Sequence, residues 1–451
     1  MTILSDAFYF IIALGILVTI HEFGHFWVAR RLGVKVLTFS VGFGSPLWKK
    51  KGKDGVDYVI AMIPLGGYVK MLDEREGEVT EEDKPFAFNR KSVWARIAIV
   101  LAGPVANFLL AILLYWWVFL SGVVGVTTEL GKIDSQSIAG KAGLKAGDRV
   151  VSIDEEPVVL YRDLNTGIVR RIGEKTEIIL GIQKEGISQI RKVPLDISSW
   201  QVNPDRPDIL GSLGLRLAVE DIVVLPLISE IEQGSPAEIA GLKIGDLIVA
   251  YDETNVESWQ QLVVKITKDA NKKVVLGILR DGEPLEISVV IGSHETEGSK
   301  NGFLGVRPES PDYSQYITSR KGGFFESLSM GIGETGKMIA LSSRLFKKLI
   351  VGEISHKSVS GPFSIAKGAG GSARNGLVSF FFFVAMISVN LGFINLLPIP
   401  LLDGGHLLYY VIEAIKGKPL PESVQNFGLQ VGMILVIMMM ALAIFNDLAP
   451  K

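Results

Sequence analysis

Three long stretches of the chain contain no Asp, Glu, Lys or Arg. They run over residues 97–128, 375–402 and 423–446. Each is longer than the roughly 20 helical residues that cross about 30 Å of hydrocarbon. A fourth apolar stretch, from Ala7 to His21, is too short by itself and reaches that length only if its helix continues through Glu22. The pattern therefore predicts four membrane-spanning helices, near residues 7–29, 97–121, 377–402 and 427–446.

The composition agrees with a membrane protein and excludes several kinds of chemistry. Of the 451 residues 48% are hydrophobic, and a formal net charge of −2 gives no overall positive field for binding nucleic acid. Because the chain has no cysteine, disulfides, thiolate nucleophiles and Cys-ligated metals are excluded. A transition-metal site would have to use carboxylates and histidines. The five histidines are His21, His25, His294, His356 and His406.

The basic residues predict the orientation of the four spans. Thirteen Lys and Arg residues lie from Arg30 to Arg96, whereas the first six residues of the chain contain none. Short loops rich in Lys and Arg stay in the cytoplasm, so residues 30–96 are predicted inside and the large insert 122–376 outside. The loop 403–426 then lies inside and the C-terminus outside. This places the inner ends of the first and third spans on the same side.

The large insert contains an internal repeat. Shifted by 98 residues, Ser137–Asp154 matches Ser235–Asp252 at 10 of 18 positions. Each copy has the pattern of a short helix, a Gly-Asp turn and β-branched strands, which is typical of a small domain with its own core. The repeated pattern resembles bacterial PDZ domains in tandem. The alternative is a pair of β-rich modules without a ligand groove.

A β-hairpin is predicted between the first two spans, from the runs Val36–Phe43 and Asp57–Ile63 around the turn Lys49–Gly55. The glycines of Gly42-Phe43-Gly44 permit close backbone approach, so an unpaired strand edge there could hold an extended peptide. A hairpin that only covers the base of the spans is an equal alternative.

A second element precedes the third span. Apolar residues recur at helical spacing from Phe324 to Ile350, with basic residues between them. This pattern predicts either a helix lying on the membrane surface or a buried helix of the insert.

The first span carries an H-E-x-x-H sequence at residues 21–25. Residues four apart share one face of a helix, so His21 and His25 can bind one Zn²⁺ while Glu22 acts on the attacking water. A catalytic zinc site also needs a third protein ligand.

The third ligand must come from another part of the chain. Asp403 is the first charged residue after the third span, and Pro398 and Pro400 block regular helix just before it. Non-helical backbone at that depth requires an enclosed polar site. Asp403 begins the Asp-Gly-Gly turn and is therefore the preferred ligand, with His406 three residues on as the second choice. The other two histidines are predicted on the outer side: His294 and His356.

These motifs resemble those of the site-2 protease family of intramembrane zinc metalloproteases. The resemblance is carried by H-E-x-x-H, by Ala102-Gly103-Pro104-Val105-Ala106-Asn107, by Asn395-Leu-Leu-Pro398-Ile-Pro400-Leu-Leu-Asp403-Gly404 and by Ser360-Gly361-Pro362. It implies one catalytic Zn²⁺ and Glu22 as general base, with the zinc ligands His21, His25 and Asp403. Asn390 or Asn395 is expected either to hold the substrate or to pack between helices, and Asn107 to pack.

The resemblance also implies a location and a class of substrate. It places the chain in the bacterial inner membrane, among lipid, with the PDZ tandem in the periplasm and the active site toward the cytoplasm. Its substrates would be single-span membrane proteins, such as an anti-sigma factor that has lost its external domain, and signal-peptide remnants, with an extracytoplasmic stress response as the outcome. Two alternatives are a membrane-anchored PDZ scaffold with a structural metal and a metalloprotease acting on soluble peptides.

The predicted fold class is a mainly α-helical polytopic membrane protein with four transmembrane helices, a cytoplasmic-side β-hairpin region and an inserted tandem of α+β PDZ domains. The predicted division is 1–31 (first span), 32–96 (loop with a membrane-associated hairpin), 97–123 (second span), 124–221 and 222–310 (PDZ domains), 311–376 (amphipathic helix and linker), 377–402 (third span), 403–426 (loop with the metal ligand) and 427–451 (fourth span).

Overall fold

The structure, a computed structural model, describes residues 2–75, 77–184, 186–202, 208–296, 299–352 and 361–448. It begins with two long helices separated by an antiparallel hairpin: α1 (Thr2–Arg31), β1 (Val36–Lys51), β2 (Asp57–Met71) and α2 (Val93–Ser121). The predicted hairpin is confirmed. Strand β1 continues to Lys51, so the turn is shorter than the predicted Lys49–Gly55.

The insert leaves and rejoins the membrane helices at one place. Strand β3 (Val123–Val126) follows α2 directly and pairs antiparallel with β16 (Ile317–Arg320). The first module between them contains α3 (Ile138–Lys141), β4 (Asp148–Ile153), β5 (Glu156–Pro157), α4 (Tyr161–Val169), β6 (Glu177–Lys184) and β7 (Arg191–Asp196). The second module contains β8 (Ile228–Ile231), α5 (Pro236–Ile239), β9 (Leu247–Tyr251), β10 (Thr254–Asn255), α6 (Trp259–Lys268), β11 (Lys273–Arg280), β12 (Glu283–Val290), β13 (Gly292–Thr296), β14 (Ser299–Phe303) and β15 (Val306–Pro308).

The sequence repeat is also a structural repeat. The two four-stranded sheets have the orders β5-β4-β6-β7 and β10-β9-β11-β12, so the same elements occupy the same places. Each module has its own buried core, one around Leu164 and Ile178 and the other around Leu262 and Leu276. Each module therefore has the apolar interior that a small domain needs.

The repeated aspartates explain the Gly-Asp turns of the sequence pattern. Asp148 accepts a hydrogen bond from the backbone N–H of Lys145 at 3.0 Å, and Asp246 accepts one from that of Lys243 at 2.8 Å. Both carboxylates are buried, and each also accepts from an arginine side chain. The carboxylate satisfies the backbone of the turn that begins the central strand of each sheet.

Among the residues that the structure describes after the insert there are five helices: α7 (Phe324–Val351), α8 (Pro362–Arg374), α9 (Leu377–Asn395), α10 (Asp403–Lys416) and α11 (Glu422–Leu448). In the described part of the chain four helices, α1, α2, α9 and α11, are long and apolar enough to cross a membrane, which confirms the predicted number. The predicted end of the third span at residue 402 is wrong, because α9 stops at Asn395. The unwinding expected before Asp403 is confirmed, and it starts further upstream than predicted.

Polar contacts show which ends of the helices lie together. Asp447, near the end of α11, accepts from the backbone N–H groups of Phe363 and Ser364 at the start of α8. Arg374 at the end of α8 pairs with Asp6 at the start of α1, at 2.5 Å. The start of α8 therefore lies at the C-terminal end of α11, and the end of α8 lies at the N-terminal end of α1.

Helix α7 is confirmed as a helix, and it packs along α2 and α9 rather than inside the insert. Its predicted place on the membrane surface stays a prediction. A Cβ on Gly331 would lie 3.0 Å from the carbonyl oxygen of Ile112, and Ser342 donates a hydrogen bond to Asn390 on α9 at 2.7 Å. The side chain of Phe325 on its other face is 81% exposed.

Candidate metal centre

Two imidazoles and one carboxylate meet where α1 approaches the start of α10. Nε2 of His21 lies 3.1 Å from Oδ2 of Asp403, Nε2 of His25 lies 3.5 Å from the same oxygen, and the two Nε2 atoms are 3.3 Å apart. Among the described residues this is the one group of three or more His, Asp or Glu side chains that could hold a metal ion. We refer to these three atoms as the ligand triangle.

The ligand triangle has the size that zinc requires. Zinc–ligand bonds of about 2.0–2.1 Å at tetrahedral angles place neighbouring ligand atoms about 3.3–3.4 Å apart. The three observed edges, 3.1, 3.3 and 3.5 Å, bracket that separation. Three protein ligands leave a fourth tetrahedral position, which is the pattern of catalytic rather than structural zinc.

Helix α2 supplies the groups behind the imidazoles. Nδ1 of His25 donates to the carbonyl oxygen of Ile99 at 2.8 Å, which keeps the proton on Nδ1 and leaves the Nε2 lone pair for a metal. Nδ1 of His21 lies 3.2 Å from the side-chain amide of Asn107, also on α2. Asn107 was predicted to be a packing residue, and this contact with a proposed ligand was missed.

Gly103 makes room for the imidazole pair. It lies between Ile99 and Asn107 on the same face of α2, one turn from each. A Cβ at this position would come within 2.2 Å of Nε2 of His25 and 2.8 Å of Cε1 of His21. Only glycine allows α2 to approach the two rings this closely.

Asp403 reaches the site because the chain is irregular between α9 and α10. In the segment 396–402 the backbone hydrogen bonds join residues two to four positions apart. Asp403 is the first residue of α10. Gly404 packs beneath the segment, since a Cβ there would lie 2.2 Å from the carbonyl oxygen of Leu397. Further along α10, Glu413 forms a two-armed, largely buried ion pair with Arg96 of α2, at 2.7 and 3.0 Å.

Glu22 lies between the ligand triangle and the hairpin. It is 9% exposed and interacts electrostatically with both imidazoles and with Asp403. A Cβ on Gly67 of β2 would lie 2.9 Å from Cγ of Glu22. The hairpin therefore approaches the site at Gly67.

The hairpin has two open edges, residues 48–51 of β1 and residues 67–71 of β2, and Gly67 places the second of them beside Glu22. Residues 38–41 are paired on both sides, so that Val41, for example, pairs with Ile60 and with Gly67. In the described structure residues 67–71 are paired on one side only, toward β1. Phe43 lies beside this edge, stacked on Tyr68 with ring centroids 6.3 Å apart.

The remaining candidates divide into near and distant groups. The side-chain amide of Asn395 lies 3.4 Å from Nε2 of His21, next to the triangle. Asn390 instead accepts from Ser342 on α7. His406 is not part of the triangle, and His294 stacks on Phe303 in the second module. Two predicted positions lie outside the described residues, namely His356 and Ser360.

Comparisons with known proteins also indicate a protease with a metal site. A profile described as Peptidase family M50 matches residues 9–439. Regulator of sigma-E protease RseP from Escherichia coli (strain K12) is 43% identical to the chain over 448 residues, covering 99% of each protein. A Vibrio cholerae serotype O1 protein, whose name describes a zinc metalloprotease, is 42% identical over 440 residues, covering 97% of each. Among solved structures, the PDZ domain of the SdrC-like protein from Listeria innocua is 19% identical and matches 20% of this chain and 98% of its own, with a TM-score of 0.17 that carries no argument about the fold.

The close approach of Gly103 to the two imidazoles predicts the effect of adding a methyl group at this position. Gly103→Ala places a methyl carbon 2.2 Å from Nε2 of His25, well inside van der Waals contact, so the imidazoles must shift by far more than the roughly 0.2 Å that a zinc site tolerates. We expect the zinc affinity of the purified protein, measured by chelator competition, to fall at least about tenfold. Gly15→Ala is the matched control on α1, since a Cβ there has no neighbour within 4 Å. Equal affinities for the two variants would contradict the close packing.

Proposed function

The chain belongs to peptidase family M50 and is a zinc metalloprotease and a multi-pass inner-membrane protein, and from this premise we propose how it cleaves its substrates and which proteins these are. The observation that carries the proposal is the ligand triangle, in which residues from α1 and α10 converge beside an acidic side chain within the bundle. Membership of a peptidase family excludes the alternative of a membrane-anchored scaffold with a structural metal. A protease for soluble peptides remains the competing activity.

We assign the zinc ligands to His21, His25 and Asp403, with one ion in the site. Bound Zn²⁺ supplies Lewis acidity, which polarises the scissile carbonyl and lowers the pKa of water. Glu22 takes a proton from the attacking water and later gives it to the leaving amine, so that one peptide bond and one water become a carboxylate and an amine. Burial of Glu22 keeps this proton transfer away from bulk solvent.

A transmembrane substrate must unwind before it can be cut, because its carbonyls are hydrogen-bonded within its helix. We assign the freed backbone groups to the open edge at residues 67–71, which would add the substrate as a further strand. Gly42 and Gly44, both at positive φ, place Phe43 beside that edge, where its ring can contact substrate side chains.

The two asparagines have different proposed roles. Asn395, 3.4 Å from His21, is positioned to donate to the substrate carbonyl or to the oxyanion that forms from it. Asn390 is engaged by Ser342, which supports the packing alternative for this residue and leaves substrate binding to Asn395.

The substrates we propose are single-span membrane proteins, in particular an anti-sigma factor after removal of its external domain, and signal-peptide remnants. The E. coli relative is named as a regulator of sigma-E protease, which supports a role in an extracytoplasmic stress response. The Lys- and Arg-rich segment 30–96 supports an active site toward the cytoplasm and an insert in the periplasm. Labelling of single cysteines added to this cysteine-free chain at Gly143 and Gly417 would test that orientation.

The insert, which we propose to be a PDZ tandem, acts as a gate against bulky ectodomains. Its first module is seated on the bundle, with Leu160 buried in the same core as Tyr115 and Phe119 of α2. The guanidinium carbon of Arg162 lies 3.7 Å from the centroid of the Phe382 ring on α9. A substrate with a large external domain would have to displace this module in order to reach the bundle from that side.

The role of Glu22 is tested by Glu22→Gln. We expect cleavage of a purified single-span substrate to fall by about 10²–10⁴-fold, because the amide cannot accept the proton, while bound zinc is unchanged. His25→Ala is the control that should lose zinc and activity together. Cleavage by Glu22→Gln at the wild-type rate would rule out Glu22 as the base. Cleavage of a soluble, casein-type substrate as fast as a membrane span would instead favour the competing activity.

Strand addition predicts that helix stability in the substrate limits the rate. Two Leu→Gly substitutions near the cut lower helix stability by about 2 kcal/mol relative to a poly-Leu span. We expect cleavage to be about 10–30-fold faster for the Gly-containing span in the same detergent, with equal expression and insertion as controls. Equal rates for both spans would count against unwinding onto the β2 edge.

The gate is tested by deleting residues 126–308, which leaves residues 309–316 to join the shortened β3 to its partner β16. The shortened protein is expected to cut a substrate that still carries its external domain, whereas the full chain cuts it only after that domain is removed. The same deletion in a Glu22→Gln background controls for other proteases. If the shortened protein cuts the trimmed substrate but not the intact one, the insert is not a gate.

A further inference from the structure

The side chain of Asn107 is fully buried, and half of its hydrogen-bonding capacity has no visible use. Its Nδ2 lies 3.2 Å from Nδ1 of His21, while its Oδ1 has no hydrogen-bond partner among the described residues. A buried amide is costly where it meets a group that it cannot hydrogen-bond, so the end that faces His21 should be the one that matches the ring nitrogen. This residue therefore calls for a role beyond filling space.

The role follows from the protonation of His21. Its Nε2 belongs to the ligand triangle, so it must present a lone pair, and the single proton of the neutral ring is then on Nδ1. That N–H needs an acceptor, and the side chain facing it is Asn107. An amide N–H₂ cannot accept, but a half-turn about the Cβ–Cγ bond of Asn107 exchanges Nδ2 for Oδ1 and supplies the acceptor.

Asn107 lies on the face of α2 that packs against the two imidazoles. Ile99, Gly103 and Asn107 are four residues apart on one face of α2, and the outer two face His25 and His21 respectively. Ser388 on α9 donates to the backbone oxygen of Asn107 at 2.7 Å. The two imidazoles thus each have a partner on the same rigid helix, a carbonyl oxygen for His25 and an amide for His21.

We propose that Asn107 is a positioning residue for the metal centre. Its Oδ1 accepts a hydrogen bond from Nδ1 of His21, which fixes the ring as the tautomer that offers Nε2 to zinc and fixes the ring plane. The inference rests on the proposed ligand set of His21, His25 and Asp403. Asn107 touches neither the substrate nor the reacting atoms.

The test is the zinc dissociation constant of the full chain in detergent, measured by competition with a chromophoric chelator. Asn107→Leu keeps the volume and removes the acceptor, so zinc binding should weaken by about 10–100-fold. Asn107→Asp restores an acceptor and should stay within about threefold of wild type. Ser388→Ala is the packing control, because it removes the neighbouring hydrogen bond to the same residue without touching the ring, and it should bind zinc as wild type does.

Thermal unfolding of the metal-free variants separates positioning from packing. The proposal holds if Asn107→Leu binds zinc weakly although its metal-free form melts as the wild type does. It is overturned if Asn107→Leu retains wild-type affinity, or if the Asp variant loses as much affinity as the Leu variant. His25→Ala separates an error in the ligand set from an error in the role of Asn107. If this variant keeps zinc, the ligand set itself is wrong, whereas if it loses zinc and Asn107→Leu does not, only the role of Asn107 fails.

Discussion

The structure depends on bringing three ionisable side chains within 3.5 Å of one another inside an apolar helix bundle. Such groups are costly in hydrocarbon unless they are paired or coordinate a metal. The bundle meets this cost by packing glycine-containing faces of α1 and α2 together, so that Gly24 and Gly103 let the helices approach. The imidazoles then contact α2 rather than lipid. The close packing of α1 and α2 that shields the imidazoles is therefore also required for the proposed metal site.

The irregular segment before Asp403 follows from the same constraint. A regular helix through residue 402 would have carried the carboxylate past the imidazoles along the span. Ending α9 at Asn395 places Asn395 beside His21 and starts a new helix at Asp403. Short turns satisfy part of the backbone that Pro398 and Pro400 remove from a regular helix, since the N–H of Leu397 donates to Ile394 and the N–H groups of Leu401 and Leu402 donate to Ile399. The Arg96–Glu413 pair then fixes α10 to α2.

Much of this arrangement could be predicted from patterns along the chain, since the charge-free stretches, the 98-residue repeat and the four-residue spacing of His21 and His25 require no knowledge of which elements touch. Contacts between elements that are distant in sequence could not be predicted from these patterns. The interpretation of Asn107 as packing failed because its partner is 86 positions away in sequence. One signal was present, because Gly103 and Asn107 have the same spacing as the histidine pair. The double pairing of Val41 and the course of α7 likewise depend on long-range packing that no periodicity encodes.

The topology lets a large insert divide the chain without disturbing the metal centre. The insert separates α2, which holds the imidazoles in place, from α9, which leads to Asp403, so any strain in it could be passed to both. Pairing of β3 with β16 holds the two ends of the insert at the spacing of adjacent strands, about 4.8 Å. Motion of the modules beyond that pair therefore need not change the distance between α2 and α9. In the first module, Leu160 packs against the end of α2 and Arg162 against Phe382 of α9, so the proposed gate would act beside these helices without altering the geometry of the proposed ligands.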